Sequence, residues 1–112
     1  FVLSDFFCAP FEQELKTLSA LHDVVLVQIE SPLQQGEPLG LVTFTDAETG
    51  EEIVVDTSSP TVRKEWDTAL SLQRGTLSSI AQSCRADHIV LTDSVMRPLV
   101  RLMRERTRRR AR

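Results

Sequence analysis

The residues best placed for chemistry come in pairs. Ser4 and Asp5 close an apolar run, Phe1-Val2-Leu3, and a hydroxyl beside a carboxylate at the carboxyl end of a buried strand lies where parallel sheets bind ligands. His22 precedes Asp23 and Asp87 precedes His88, so an imidazole twice stands next to a carboxylate, the raw material of general base catalysis. Adjacent strand residues point to opposite faces, so neither pair can share a proton directly, and both histidines are expected to be structural. Ser4, Cys8 and Cys84 lack a nucleophile setting such as Gly-x-Ser-x-Gly, and the sequence has no glycine-rich phosphate loop. An enzyme is not expected.

Cys8 and Cys84 belong to no Cys-x-x-Cys or Cys-His cluster of the zinc-binding kind, and free thiols in a reducing, cytoplasmic compartment are expected. Charge is distributed unevenly. Residues 97–112 carry 8 basic and 1 acidic side chain and residues 1–96 carry 5 and 15, together the 13 and 16 of the whole chain. In that tail Arg104, Arg108, Arg109 and Arg110 are the candidates for contact with an anionic partner, whether nucleic acid or an anionic surface. A plainer account is that cations near a helix C-terminus complement its dipole while the acidic body repels polyanions. No aromatic residue interleaves these arginines to stack on bases, which favours the plainer account.

The elements that must position these residues follow from patterning. At 112 residues with 41% hydrophobic content the chain suits a single domain, and no apolar stretch is long enough to span a membrane. Phe1-Val2-Leu3 reads as a short buried strand, and Phe11, Leu15, Leu18 and Leu21, after Pro10, as one face of an amphipathic helix. The β-branched run Val24-Val25-Leu26-Val27-Gln28-Ile29 predicts a central parallel strand, followed by a loop over residues 31–40 with two prolines and two glycines. Residues 41–45 and 52–56 alternate around Asp46-Ala47-Glu48-Thr49-Gly50, which predicts a β-hairpin. Ser59-Pro60 starts a long helix whose apolar face, from Val62 and Trp66 to Ala81 and Cys84, is expected to cover the sheet. A third buried strand, residues 87–92, precedes a last helix defined by Val95, Leu99, Leu102 and Met103, with Pro98 in its first turn. This order is that of a right-handed parallel α/β sheet with an inserted hairpin at 41–56 and a basic helical tail at 97–112.

Ser4-Asp5-Phe6, His22-Asp23-Val24-Val25, Gly40-Leu41-Val42, Asp46-Ala47-Glu48-Thr49-Gly50-Glu51 and Val55-Asp56-Thr57-Ser58, in this order, resemble the C-terminal half of the bacterial proteins called domain of unknown function 58. The likeness covers nearly the whole chain, and an Arg-rich last helix with a proline near its start fits it too. It departs at Cys8 and at Ser31-Pro32, where Asp-Pro is commoner. The resemblance implies a three-layer, partial Rossmann-like fold of von Willebrand factor A type, with a parallel sheet of about three strands flanked by helices. It also implies genes beside MoxR-type AAA ATPases, and a metal-ion-dependent adhesion site in which Asp5, helped by Ser4, takes the fourth-strand position around Mg²⁺. The Asp-x-Ser-x-Ser element of such a site is absent from these residues. The expectation is thus part of a larger domain, with no cofactor in this part and Mg²⁺ in the full-length protein.

The functional expectation is a non-enzymatic protein-interaction module, partnered by a MoxR-type AAA ATPase. The strand Phe1-Val2-Leu3 should be left as an exposed sheet edge, from which a homodimer is expected. The alternative is a nucleic-acid or anionic-surface binder acting through the arginine tail.

Overall fold

The computed structural model describes residues 1–30 and 39–112; the predicted loop over residues 31–40 therefore lies largely outside the described residues. Eight elements follow in chain order: β1 (Val2–Ser4), α1 (Glu12–Leu21), β2 (Val25–Ile29), β3 (Leu41–Thr45), β4 (Glu52–Asp56), α2 (Pro60–Ser83), β5 (Asp87–Leu91) and α3 (Met96–Arg110). They fall into two compact units, one of residues 1–31 and 75–112, the other of residues 32–74.

The first unit holds a parallel sheet of three strands in the order β1-β2-β5, with Val2 opposite Leu26, Val25 opposite Asp87 and Ile29 opposite Leu91. β2 lies in the middle because nearly every side chain it carries is apolar and can be buried on both faces. On one face Val24 and Leu26 join Phe6, Leu15, Leu77, Ala81 and Cys84, which brings α1 and the end of α2 onto the sheet. On the other face Val25 and Val27 pack with Leu102 of α3, together with Ile89 and Leu91. Helices thus cover both faces, and the unit has three layers.

Leu77, Ile80 and Ala81 from the last turns of the long helix, with Cys84 just past its end, pack in the core of the parallel sheet. The helix ends in a left-handed residue, Arg85 (φ 58°), where the Ala86 N–H donates to the Ala81 carbonyl (2.8 Å) and the Arg85 N–H to that of Gln82 (3.2 Å). These two bonds satisfy carbonyls that a helix end otherwise leaves open.

In the second unit β3 and β4 form the predicted antiparallel hairpin, with Val42 opposite Val55 and Phe44 opposite Ile53. Asp46 organises its turn by accepting the Glu48 N–H at Oδ1 (2.8 Å), and Gly50 adopts φ 74°, a conformation that favours glycine. Phe44 meets Trp66 of α2 with ring centroids 5.4 Å apart, so Trp66 serves packing as its half-buried position requires.

Candidate functional site

Because the three strands are parallel, their carboxyl ends share one edge of the sheet, and the chain places Ser4-Asp5, Glu30 and Thr92-Asp93 there. At β1 the polar pair turns back on its own backbone: Ser4 Oγ accepts the Phe6 N–H (2.9 Å) and Asp5 Oδ1 accepts the Phe7 N–H (3.0 Å). Between those bonds Phe6 adopts φ 59°, a left-handed backbone that costs a bulky residue roughly 1–2 kcal/mol. The offset is burial, since the Phe6 ring is 8% exposed and stacks on Phe11 at 5.5 Å. Asp5 itself is exposed and Ser4 half-buried. At the third strand, Thr92 Oγ1 donates to Asp93 Oδ1 (3.0 Å). Among the described residues no group of three or more His, Cys, Asp or Glu side chains is gathered as a metal site would require.

The opposite edge carries the stronger electrostatics. Asp23 and Asp87 stand just ahead of β2 and at the start of β5, and α3 brings Arg106 across both. Arg106 donates from Nη1 and Nη2 to the two oxygens of Asp23 (2.7 and 2.8 Å) and from Nε to Asp87 Oδ2 (2.7 Å), while Arg109 Nη2 donates to Asp87 Oδ1 (2.9 Å). Burial alone would raise the Asp87 carboxyl, but hydrogen bonds from Arg109 and Arg106 and their charges outweigh it and hold it below the usual range. Hydrogen bonding to Asp23, then to Asp87, likewise raises Arg106. Sequence reasoning missed this cluster. Its only signal was an aspartate ahead of or opening each of two buried strands, and nothing local pairs those residues with an arginine at position 106.

His88 does not pair with Asp87. Its Nε2 donates to Oε1 of Gln28 (3.0 Å), a side chain only 1% exposed, while the Asp87 carboxylate goes to the arginines. Burial lowers the His88 pKa, with Glu30 opposing it through its charge. Cys8 is exposed, Cys84 buried, and both thiols are free.

The four tail candidates separate. Arg109 is engaged by Asp87, whereas Arg104, Arg108 and Arg110 are exposed and make no ion pair among the described residues. The apolar residues that define the helix also separate. Of Val95, Leu99, Leu102 and Met103, only Leu102 is buried; Met103 is 46% exposed and Val95, just ahead of the helix, 55%.

Mg²⁺ takes six oxygens in near-octahedral order, and Ser4 and Asp5 supply one hydroxyl and one carboxylate, each already accepting a backbone N–H. By themselves these residues do not fit such a site.

Fold and site together define a mixed α/β protein: a three-stranded parallel sheet between helices, a two-stranded antiparallel hairpin, and an ion cluster locking the last helix to the strand starts. Residues 1–76 match the family described as "Protein of unknown function DUF58". That match covers 76 of 112 residues, and the chain belongs to this family. No curated protein and no solved structure matches it. Among the described residues no helix is long and apolar enough to cross a membrane.

Proposed function

We propose that the chain is a non-enzymatic protein-interaction module with a von Willebrand factor A-type sheet, working with a MoxR-type AAA ATPase. One observation carries the proposal: among the described residues β1 is an edge strand, and Phe1 just before it, Leu3 within it and Phe7 after it are 68%, 60% and 61% exposed. An edge with open backbone groups and apolar side chains is a template for association. A second copy covers it most simply, because a two-fold contact hides the same patch on both chains. In this proposal Ser4 and Asp5 are one part of a metal-ion-dependent adhesion site whose other ligands come from outside these residues.

Sedimentation at micromolar concentration tests the edge. The expected result is a dimer that Leu3→Asp dissociates without loss of fold by circular dichroism. A monomer whose Val2 and Leu3 amides already resist hydrogen exchange would sink it. Co-sedimentation with a MoxR-type AAA ATPase tests the partner, and independent migration of the two proteins removes that assignment.

A further inference from the structure

α3 carries two stripes on its outward side. Met96, Val100 and Met103 follow i, i+4, i+7 spacing and are 68%, 39% and 46% exposed, so they form an apolar ridge turned away from Leu102. With the half-buried Leu99 they line a shallow groove edged by Arg104 and Arg108. Arg97 stands one turn before Arg101 on the same flank. Three other arginines of the helix have internal partners near at hand: Arg106 on Asp23 and Asp87, Arg109 on Asp87, and Arg101 on Glu105. Arg97, Arg104 and Arg108 make no ion pair among the described residues.

We infer that this face of α3 receives an acidic amphipathic helix of a partner protein, its apolar residues on Met96, Val100 and Met103 and its carboxylates on Arg104, Arg108 and Arg97. The ridge runs from Met96 to Met103, seven steps or about 10 Å of helix rise, which matches the i, i+3, i+4, i+7 anchors of a helix laid in a groove. Charge selects the occupant. Two copies of α3 face to face would oppose arginine to arginine, so this is not the contact between copies proposed for β1. A nucleic acid would use the arginines and leave the apolar ridge in water. An anionic bilayer would meet a ridge without Trp, Phe or Tyr, on a protein whose residues 1–96 carry 15 acidic and 5 basic side chains. Carboxylates beside apolar anchors satisfy both stripes, and arginine can take a carboxylate with two parallel hydrogen bonds.

This names the partner chemistry of the interaction module and rests on that proposal. The probe is a fluorescent, terminally blocked synthetic helix with leucines at i, i+3, i+4 and i+7 and glutamates flanking them, followed by anisotropy. A matched peptide with lysines in place of the glutamates, phosphatidylserine–phosphatidylcholine vesicles and duplex DNA complete the set. The expected result is saturable binding of the glutamate peptide, weakened about tenfold or more by Val100→Asp, by the double change Arg104→Glu and Arg108→Glu, and by added salt. The lysine peptide should bind the charge-reversed variant and not the parent. All substituted residues are exposed, and circular dichroism checks that each variant folds. Absence of peptide binding, binding indifferent to both variants, or vesicle or DNA binding that the charge reversal abolishes while the peptide stays free overturns the inference. Each of those outcomes leaves the β1 contact standing, since Leu3→Asp and sedimentation read it separately.

Discussion

Arg106 and Asp87, 19 residues apart in sequence, join the last helix to the last strand through an Nε–H donated to Oδ2 at 2.7 Å. Their side chains are 20% and 16% exposed, so water screens the pair only in part. Replacing Arg106 by leucine leaves Asp87 with Arg109 alone and strips Asp23 of both bonds from Arg106. A loss of about 1–2 kcal/mol is expected in urea unfolding, against less than about 0.5 kcal/mol for Arg104→Leu on the exposed flank. Equal losses would show that α3 is held by Leu102 and its apolar neighbours without help from the cluster.

The same cluster sets a response to acid. The Asp87 carboxyl is depressed in the folded protein, so its contribution is present above the pH at which a free aspartate titrates and is lost as pH falls through the lower folded value. His88 is also depressed, by burial, so the unfolded chain takes that proton first. Stability should therefore begin to fall below about pH 6.5 on account of His88 and fall further below about pH 4 as Asp87 protonates. His88→Gln should remove the first step and Asp87→Asn the second. A melting temperature flat from pH 7 to pH 5 in the parent would rule out the histidine step.

Two left-handed residues give opposite predictions. Arg85 ends α2 at φ 58° with its side chain exposed, so Arg85→Gly should stabilise by about 0.5–1 kcal/mol by relieving the backbone. Gly50 has φ 74° in the hairpin turn, and a Cβ there meets nothing within 4 Å, so the cost of Gly50→Val is conformational and should be about 1 kcal/mol or more. Thermal unfolding checks both, and a destabilised Arg85→Gly would mean that the arginine side chain contributes more than its backbone costs.

Where pattern is local, the sequence was enough. The β-branched run at 24–29 could only be a strand buried on both sides, and Asp46 and Gly50 mark the hairpin turn by their own chemistry. Pro60 and the apolar spacing after it predict a helix that runs unbroken through Gly75 to Ser83. What the sequence left open depends on tertiary placement. The α2 face reads as continuous, but periodicity says which side is apolar and not what lies against it: Leu77, Ile80 and Ala81 pack in the core of the parallel sheet, and Trp66 meets Phe44 of the hairpin. On α3, Leu102 and Met103 are equally apolar neighbours about 100° apart around the axis, and only the position of the sheet makes one buried and the other exposed. Phe6 follows Ser4-Asp5 as an ordinary aromatic residue, and its left-handed backbone emerges only once Phe11 is there to receive the ring. At the site, Ser4 and Asp5 lie at the strand end as patterning requires, but their bonds to the Phe6 and Phe7 amides could not be read from residue types alone.

Those bonds bear on metal affinity. A cation approaching Asp5 finds an exposed carboxylate with Oδ1 already accepting the Phe7 N–H, and beside it a hydroxyl oxygen accepting the Phe6 N–H. Mg²⁺ sheds water reluctantly and gains little from one carboxylate, so the exchange is unfavourable unless further oxygens converge. Calorimetric titration with Mg²⁺ or Mn²⁺ should accordingly give no saturable heat tighter than about a millimolar dissociation constant, and Asp5→Asn should leave the trace unchanged. If the chain is joined to a partner or longer polypeptide that supplies the missing ligands, affinity should rise and Asp5→Asn should then abolish it. Tight binding by the chain alone that survives Asp5→Asn would place the metal elsewhere and remove Ser4 and Asp5 from the proposed adhesion site.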